Sequence, residues 1–240
     1  MDENNKKYQE GIKRLQKFAE LGFTDAQYLL AGCYGRGLGV PEDEKEAIKW
    51  LQKAAEQGHA KAQFILGGSY LEGTGVPKDE VEAVKWCRKA AEQEHTAAQT
   101  ILGWCYFEGV GVPEDKTEAV KWYRKAAEQG NADAQYRLGW SYCYGGGVPE
   151  DEAEAVKWYR KAAEQGNADA QSQLGLCYFK GSGVPENYEV GINWLRKAAE
   201  QGHADSHFML GMCYFQGTGV LKDEKEGKYS IIVAFYPALV

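Results

Sequence analysis

The chain has 240 residues and a formal net charge of −7, and 44% of its residues are hydrophobic. This composition allows a large core, whereas the negative charge argues against nucleic acid as a partner, because phosphate binding needs a positively charged stripe. No apolar run reaches the ~20 residues of a transmembrane helix, so we expect no membrane span. The N-terminal segment MDENNKKYQE has no apolar signal region, so we expect a cytoplasmic protein, with export by another route left open.

The sequence repeats itself every 36 residues. Six leucines mark this period without an insertion: Leu30, Leu66, Leu102, Leu138, Leu174 and Leu210. A fixed period of this size indicates a tandem array of supersecondary units. Two stretches of helical periodicity lie in each unit and no strand pattern competes with them, so we predict an all-α chain.

We treat residues 1–240 as a single array of these units. Residues 8–22 match only the second helix of a unit, and Arg14 stands where later units have tryptophan, which suits a terminal cap with one solvated face. The remaining repeats follow in order: 24–58, 60–94, 96–130, 132–166 and 168–202 as full pairs, and 204–226 as a partial one.

Local signals mark the ends of the second helix in each unit. An Asp-x-x-Glu pair such as Asp43 and Glu46 predicts a reciprocal capping box at its start. Glycines such as Gly58 close it where a left-handed residue is needed, and Glu94 in that place predicts a strained or differently closed turn. One side chain of each pair is a predicted core staple: Trp50, Trp86, Trp122, Trp158 and Trp194.

The pattern fails after Gly227, where the chain continues as KYSIIVAFYPALV. Residues 227–240 are apolar but too short to cross a membrane. They either form an atypical capping helix over the last repeat or reflect a truncated chain, and of the two we favour the cap.

Three motifs recur from unit to unit, with single substitutions in several copies: A-x-A-Q-x-x-L-G-x-x-Y, a G-x-G-V-P loop, and E-A-V-K-W-x-x-K-A-A-E-Q-G. This pattern, over roughly residues 8–226, resembles the Sel-1-like repeat family, a relative of the tetratricopeptide repeats. The resemblance implies a right-handed α-α superhelix, a solenoid of helix pairs, that acts as a protein-binding scaffold or adaptor.

The arrangement of the cysteines indicates the redox state of the cellular compartment. Each helix pair carries a single cysteine, and equivalent positions on stacked helices lie ~8–10 Å apart, beyond disulfide reach. Some members of the resembled family staple every repeat with an internal disulfide, and this chain departs from them. We therefore predict free thiols in a reducing compartment.

Candidates for chemistry are few. His59, His95 and His203 alternate with asparagine at one repeat position, which predicts a capping role. His203 and His207 could share a helix face as metal ligands, but no third ligand is near in sequence, so we expect no metal and no cofactor. The serines lack any nucleophile motif. Penicillin binding by some relatives keeps a β-lactamase-like or other cell-wall hydrolase open as an alternative, by resemblance alone.

One face of the first helices varies between units and is unexpectedly apolar. Aromatic side chains with some charge around them are typical of binding hot spots. The predicted binding residues are Tyr28, Arg36, Phe64, Glu72, Trp104, Glu108, Tyr136, Arg137, Trp140, Tyr144, Leu176, Lys180, Phe208 and Met212.

We interpret the chain as a non-enzymatic, monomeric scaffold that binds a protein or peptide segment in the concave groove lined by the first helices. Trp104, Trp140, Tyr136 and Tyr144 would be the apolar anchors. Two alternatives stay open: these side chains pack against the next repeat, or the array is only a structural spacer.

Overall fold

The computed structural model describes the chain from residue 3 to residue 235, with side chains from residue 9 onward. In this part of the chain all regular secondary structure is helical and there is no strand, as predicted. The helices are α1 (Glu3–Glu20), α2 (Thr24–Arg36), α3 (Glu44–Glu56), α4 (Ala60–Glu72), α5 (Glu80–Glu92), α6 (Thr96–Glu108), α7 (Lys116–Glu128), α8 (Ala132–Tyr144), α9 (Glu152–Glu164), α10 (Ala168–Lys180), α11 (Tyr188–Glu200), α12 (Ala204–Gln216) and α13 (Glu224–Phe235).

The chain divides into two compact units, with the boundary inside α7. The N-terminal unit comprises residues 1–122 and the C-terminal unit residues 123–240. Within each unit, the first and second helices of a repeat pack side by side, as α4 does with α5 and α8 with α9. In the described residues, no helix combines the length and the apolar character needed to cross a membrane.

Each second helix begins at a side-chain cap, but the reciprocal capping box that we expected does not form. The Asp43 carboxylate accepts a hydrogen bond from the Glu46 N–H at 2.9 Å, as predicted. The Asp43 N–H donates instead to the carbonyl oxygen of Tyr34 at 2.9 Å, so it has no need of the Glu46 side chain. Glu46 pairs with Lys49 at 2.7 Å. The first half of the motif therefore caps the helix, while the second half forms a surface ion pair.

The tryptophan series lies mostly in the core. Trp50, Trp86, Trp122 and Trp158 are only 6–7% exposed, whereas Trp194 is half-buried. A lysine three residues further along places its ammonium group over the ring, as Lys161 does at 4.0 Å from the centre of Trp158. Such a lysine covers the solvent edge of the indole with its aliphatic stem and adds a cation–π contact.

Close helix approach explains the glycine that follows the anchor leucine in every repeat after the first, where Ala31 stands instead. A Cβ placed on Gly139 would lie 2.7 Å from the ring of Tyr159, and one on Gly175 would lie 2.9 Å from Leu195. The second helix therefore packs directly on the backbone of the first. Any side chain at these positions would push the two helices apart.

The turn at Glu94 carries the strain predicted from its sequence. Glu94 has φ +63° and is, among the described residues, the only one other than glycine with a positive φ. The equivalent Gly58 has φ +90°, a conformation that costs glycine nothing. For a residue with a Cβ, the left-handed region costs about 1–2 kcal/mol.

Neighbouring repeats are joined by a buried glutamine network that the sequence motifs did not reveal. Gln63 lies in α4, and its amide donates at 2.9 Å to the carbonyl oxygen of Ala55, on the preceding second helix. The Gln63 amide oxygen in turn accepts from Gln93, the residue that follows α5, at 2.7 Å. Gln171, Ala163 and Gln201 repeat this arrangement within the C-terminal unit.

The apolar tail is helical as far as it is described. Helix α13 packs against α12 so closely that a Cβ on Gly211 would lie 2.6 Å from Ile231. The ring of Phe235 meets that of Phe208 edge-on at 5.9 Å between centres. Residues 236–240 lie outside the described part, and the capping role of residues 227–240 stays a prediction.

Candidate functional site

The predicted binding residues all lie on first helices, and none of them is fully buried. Six are exposed and eight are half-buried. The exposed residues are Arg36, Glu72, Glu108, Tyr144, Lys180 and Phe208. The half-buried residues are Tyr28, Phe64, Trp104, Tyr136, Arg137, Trp140, Leu176 and Met212.

In the N-terminal unit, two of the predicted aromatic anchors pack against the next repeat. Tyr28 stacks on His59 with 4.5 Å between ring centres, and Phe64 stacks on His95 at 4.7 Å. Both histidines cap the following first helix, as predicted: the ring nitrogen Nδ1 of each accepts a backbone N–H, at 3.1 Å for His59 and 3.2 Å for His95. For Tyr28 and Phe64, the alternative explanation of packing within the array therefore applies.

Trp104 has a more open environment in the same unit. Its indole rests on the edge of a core cluster that includes Leu102 and Trp122, and it remains half-buried. Glu108, one turn further along α6, is exposed. One face of the Trp104 ring is thus supported by the core while another part is accessible to solvent.

In the C-terminal unit, α8 presents a paired aromatic surface. The rings of Trp140 and Tyr144 lie 4.8 Å apart, tilted by 43°. Trp140 packs against the core cluster that contains Tyr159, whereas Tyr144 is 53% exposed. The inner ring therefore holds the outer one in place, and the outer ring faces solvent.

The other predicted site residues in the C-terminal unit include several polar side chains. Arg137 places its guanidinium 5.9 Å from the ring centre of Tyr123. Burial raises the pKa of Tyr136 and of Tyr144, and for Tyr144 the neighbouring Cys143 thiol adds to the rise. Both phenols therefore stay protonated at neutral pH and are available as hydrogen-bond donors. Lys180 is exposed at the end of α10.

The cysteines are placed for packing. All six are free, and four of them are buried. Burial raises the pKa of Cys87 to about 12 and that of Cys105 and Cys177 to about 11. Since the thiolate is the reactive form, these thiols are poor nucleophiles at neutral pH.

One Ser-His-Asp contact chain lies in the C-terminal unit. The Ser206 hydroxyl is 3.0 Å from Nδ1 of His203, and Nε2 of His203 is 3.3 Å from the Asp169 carboxylate. However, Ser206 is 0% exposed, and the same Nδ1 accepts the Ser206 backbone N–H at 3.2 Å. These Ser-His-Asp contacts therefore form the cap of α12. The Ser206 hydroxyl is buried and is not accessible to a substrate. Across the described residues, no three His, Cys, Asp or Glu side chains are placed to hold a metal ion.

Helix pairs repeated at 36 residues, with one accessible face on the first helices, define an α-solenoid repeat protein. The Sel1 repeat family matches the chain at residues 24–59, 60–95, 96–131, 132–167, 168–203 and 204–229, and the chain belongs to this family. Sel1 repeat proteins are generally protein-interaction scaffolds and typically have no enzymatic activity.

Two solved structures are similar along almost the whole chain. One is a Sel1 repeat protein from Oxalobacter formigenes, with 40% identity, a TM-score of 0.86, and coverage of 95% of this chain and 92% of that one. The other is c5321, a protective antigen of uropathogenic Escherichia coli strains that displays an SLR fold, with 39% identity and a TM-score of 0.89. The match to c5321 covers 94% of this chain but only 48% of that protein. Among curated proteins, none matches this chain.

Proposed function

We propose that this chain is a scaffold that binds a segment of another protein on the accessible face of its first helices. The observation that carries the proposal is the Trp140–Tyr144 pair in the C-terminal unit, where a core-supported indole holds a tyrosine ring that is 53% exposed. Adjacent exposed aromatic rings, unlike scattered apolar side chains, are typical of protein-interaction sites.

The pair has the properties of a binding hot spot. Tryptophan and tyrosine supply large contact areas, and few rotatable bonds need to be fixed on binding. Trp140 is already held by the core cluster of the C-terminal unit, so little conformational entropy remains to be lost there. Binding energy at this site should therefore exceed that of the isolated apolar side chains elsewhere on the surface.

Charged side chains around the anchors would set the orientation and choice of partner. In the C-terminal unit these are Arg137 and Lys180, whereas in the N-terminal unit Glu72 and Glu108 accompany Trp104. Such rim charges affect specificity and association rate more than affinity. A segment bound at the C-terminal unit would present acidic groups to Arg137 and Lys180.

The test is a peptide-display selection against the intact protein, followed by affinity measurements on the selected peptides. We expect a Trp140→Ala/Tyr144→Ala double variant to bind at least about 30-fold more weakly, because hot-spot truncations cost about 2 kcal/mol or more. Tyr229→Ala is the matched control, since Tyr229 is 48% exposed and lies on α13, which is not a first helix. Circular dichroism must first show equal helicity in all forms.

Unchanged affinity in the double variant would overturn the assignment of the site to α8. A separate Trp104→Ala variant asks whether the N-terminal unit contributes. A spacer would yield no selected peptide whose binding depends on either face. A hydrolase would show turnover that depends on Ser206 or His203.

A further inference from the structure

The N-terminal unit contains a cavity at the first-helix face, where Tyr28 and Arg36 of the predicted binding residues line it. Its volume is about 580 Å³, and it opens between α2, α3 and α4. Volumes of about 300–1,000 Å³ are usual for ligand pockets. The lining is mainly apolar, and Leu29, Leu38 and Ile65 at this site are 39–54% exposed.

The cavity exists because the first repeat has a glycine where later repeats have a side chain. Gly35 occupies this position, and its equivalents are Leu71, Phe107, Cys143, Phe179 and Phe215. In the fifth repeat, the Phe179 ring lies against the second helix, 2.6 Å from where a Cβ on Gly191 would stand. In the first repeat, the counterpart of Gly191 is Ala47, which lines the open cavity together with Gly35.

A second glycine widens the opening. Gly32 also lines the cavity, at the position that Trp104 and Trp140 occupy in later repeats. A Cβ on Gly32 would meet nothing within 4 Å, and one on Gly35 would meet only the Ala47 Cβ, at 3.8 Å. The space is therefore unfilled, and the helices have not closed over it.

A positively charged side chain, that of Arg36, lies at this cavity. The exposed Arg36 is one of the lining residues, and no acid among the described side chains is within salt-bridge distance of it. An arginine guanidinium presents a planar fork of donors that matches a carboxylate. Glu44 also lines the cavity.

We propose that this cavity receives an aromatic side chain from a segment of another protein, and that a carboxylate next to it in that segment pairs with Arg36. The occupant is indicated by the chain itself, since three later repeats fill the same position with phenylalanine. The inference rests on the proposed function and adds to it the chemistry of the partner. The N-terminal unit would thus recognise a partner segment in which an aromatic residue and an acidic residue are adjacent.

The probe is the capped dipeptide N-acetyl-4-fluorophenylalanyl-aspartyl amide, observed by ¹⁹F NMR with the full chain. We expect saturable binding with a Kd of about a millimole per litre, which is reasonable for so small a ligand. Gly35→Leu should abolish it by filling the cavity. This variant should fold, because Leu71 has the same position in α4 and leucine is a far better helix former than glycine.

Three comparisons make the result specific. Arg36→Gln, or a peptide with asparagine in place of the aspartate, should weaken binding about two- to five-fold, as expected for an exposed ion pair. Gly11→Leu is the control for a new leucine on a helix, since a Cβ on Gly11 meets nothing within 4 Å and Gly11 does not line the cavity. It should bind the probe as the unaltered chain does.

Binding that survives Gly35→Leu, or no binding to the unaltered chain, would overturn the inference. The proposed function is judged separately by the Trp140→Ala/Tyr144→Ala variant, so failure of one does not imply failure of the other. Self-association in sedimentation experiments that Gly35→Leu abolishes would assign the cavity to a second copy of the chain and would also overturn the inference.

Discussion

His95 caps α6 through a ring nitrogen that must be unprotonated. Its Nδ1 accepts the Ala98 N–H at 3.2 Å, and a protonated Nδ1 could not do so. Burial lowers the pKa of His95, and the nearby Lys61 ammonium lowers it further. The folded state therefore prefers the neutral imidazole more strongly than the unfolded chain does.

The linkage between pKa and stability makes this cap sensitive to acid. Because the folded pKa lies below the unfolded value of ~6.5, the stabilisation is complete above that pH and is lost as the pH falls. We expect His95→Asn, which copies the caps at Asn131 and Asn167, to lose less unfolding free energy between pH 8 and pH 5 than the unaltered chain. Denaturant titrations at both pH values measure this, with His207→Asn as control.

For single residues, the sequence predicted those roles that follow from comparing equivalent positions in different repeats. The capping role of His95 followed from its exchange with asparagine, and the strain at Glu94 followed from its exchange with glycine. The fate of Glu46 could not be predicted, because the Asp43 N–H finds its partner on Tyr34, and only the folded loop brings these two groups together.

The second helices differ in how deeply they bury their tryptophan. Trp158 is 7% exposed and donates its indole N–H to Glu154 at 3.0 Å, whereas Trp194 is half-buried. Both rings carry a lysine ammonium over the face, at 4.0 and 4.1 Å. The two sites thus differ in burial while sharing the cation–π contact.

We expect Trp158→Ala to lower the unfolding free energy by about 3–5 kcal/mol, the usual cost of deleting a buried tryptophan. Trp194→Ala should cost clearly less, because part of its surface is already in water. Urea denaturation of both variants measures the difference. Equal costs would show that lysine coverage, rather than burial, determines the contribution of each ring.

The helices and their packing faces were predictable from periodicity, but the bonds between repeats were not. Gln63 is buried in α4. Its bonds to the Ala55 carbonyl and to Gln93 depend on how adjacent pairs stack, and no local pattern encodes that distance. The aromatic positions show the same limit, since the stacking of Tyr28 on His59 becomes visible only when the next repeat is in place.

For the molecule as a whole, the thiols make a simple prediction. Since all six cysteines are free, covalent cross-links do not contribute to its stability. The midpoint of thermal unfolding should therefore be the same with and without a reducing agent. A lower midpoint under reducing conditions would contradict the free-thiol arrangement, and a Cys143→Ser variant, altered at a half-buried position, would serve as a control.

The class of fold was fully predictable from the period, whereas the sites were only partly so. Reading the variable positions of the first helices identified residues that are accessible to solvent, including Tyr144. The cavity beside Gly35 was not anticipated, because it results from a side chain that is absent. An opening of this kind becomes apparent only when the neighbouring helices are seen not to close over it.

The bonds that join the repeats recur at fixed separations along the chain. The buried glutamines reach a carbonyl 8 residues earlier and accept from a glutamine 30 residues later. A gene rearrangement that removes or duplicates one complete 36-residue block would give every such group an equivalent partner. An insertion of two or three residues inside a block would leave several of them without one. Recombination can therefore change the number of repeats freely, while selection keeps the length of each repeat constant.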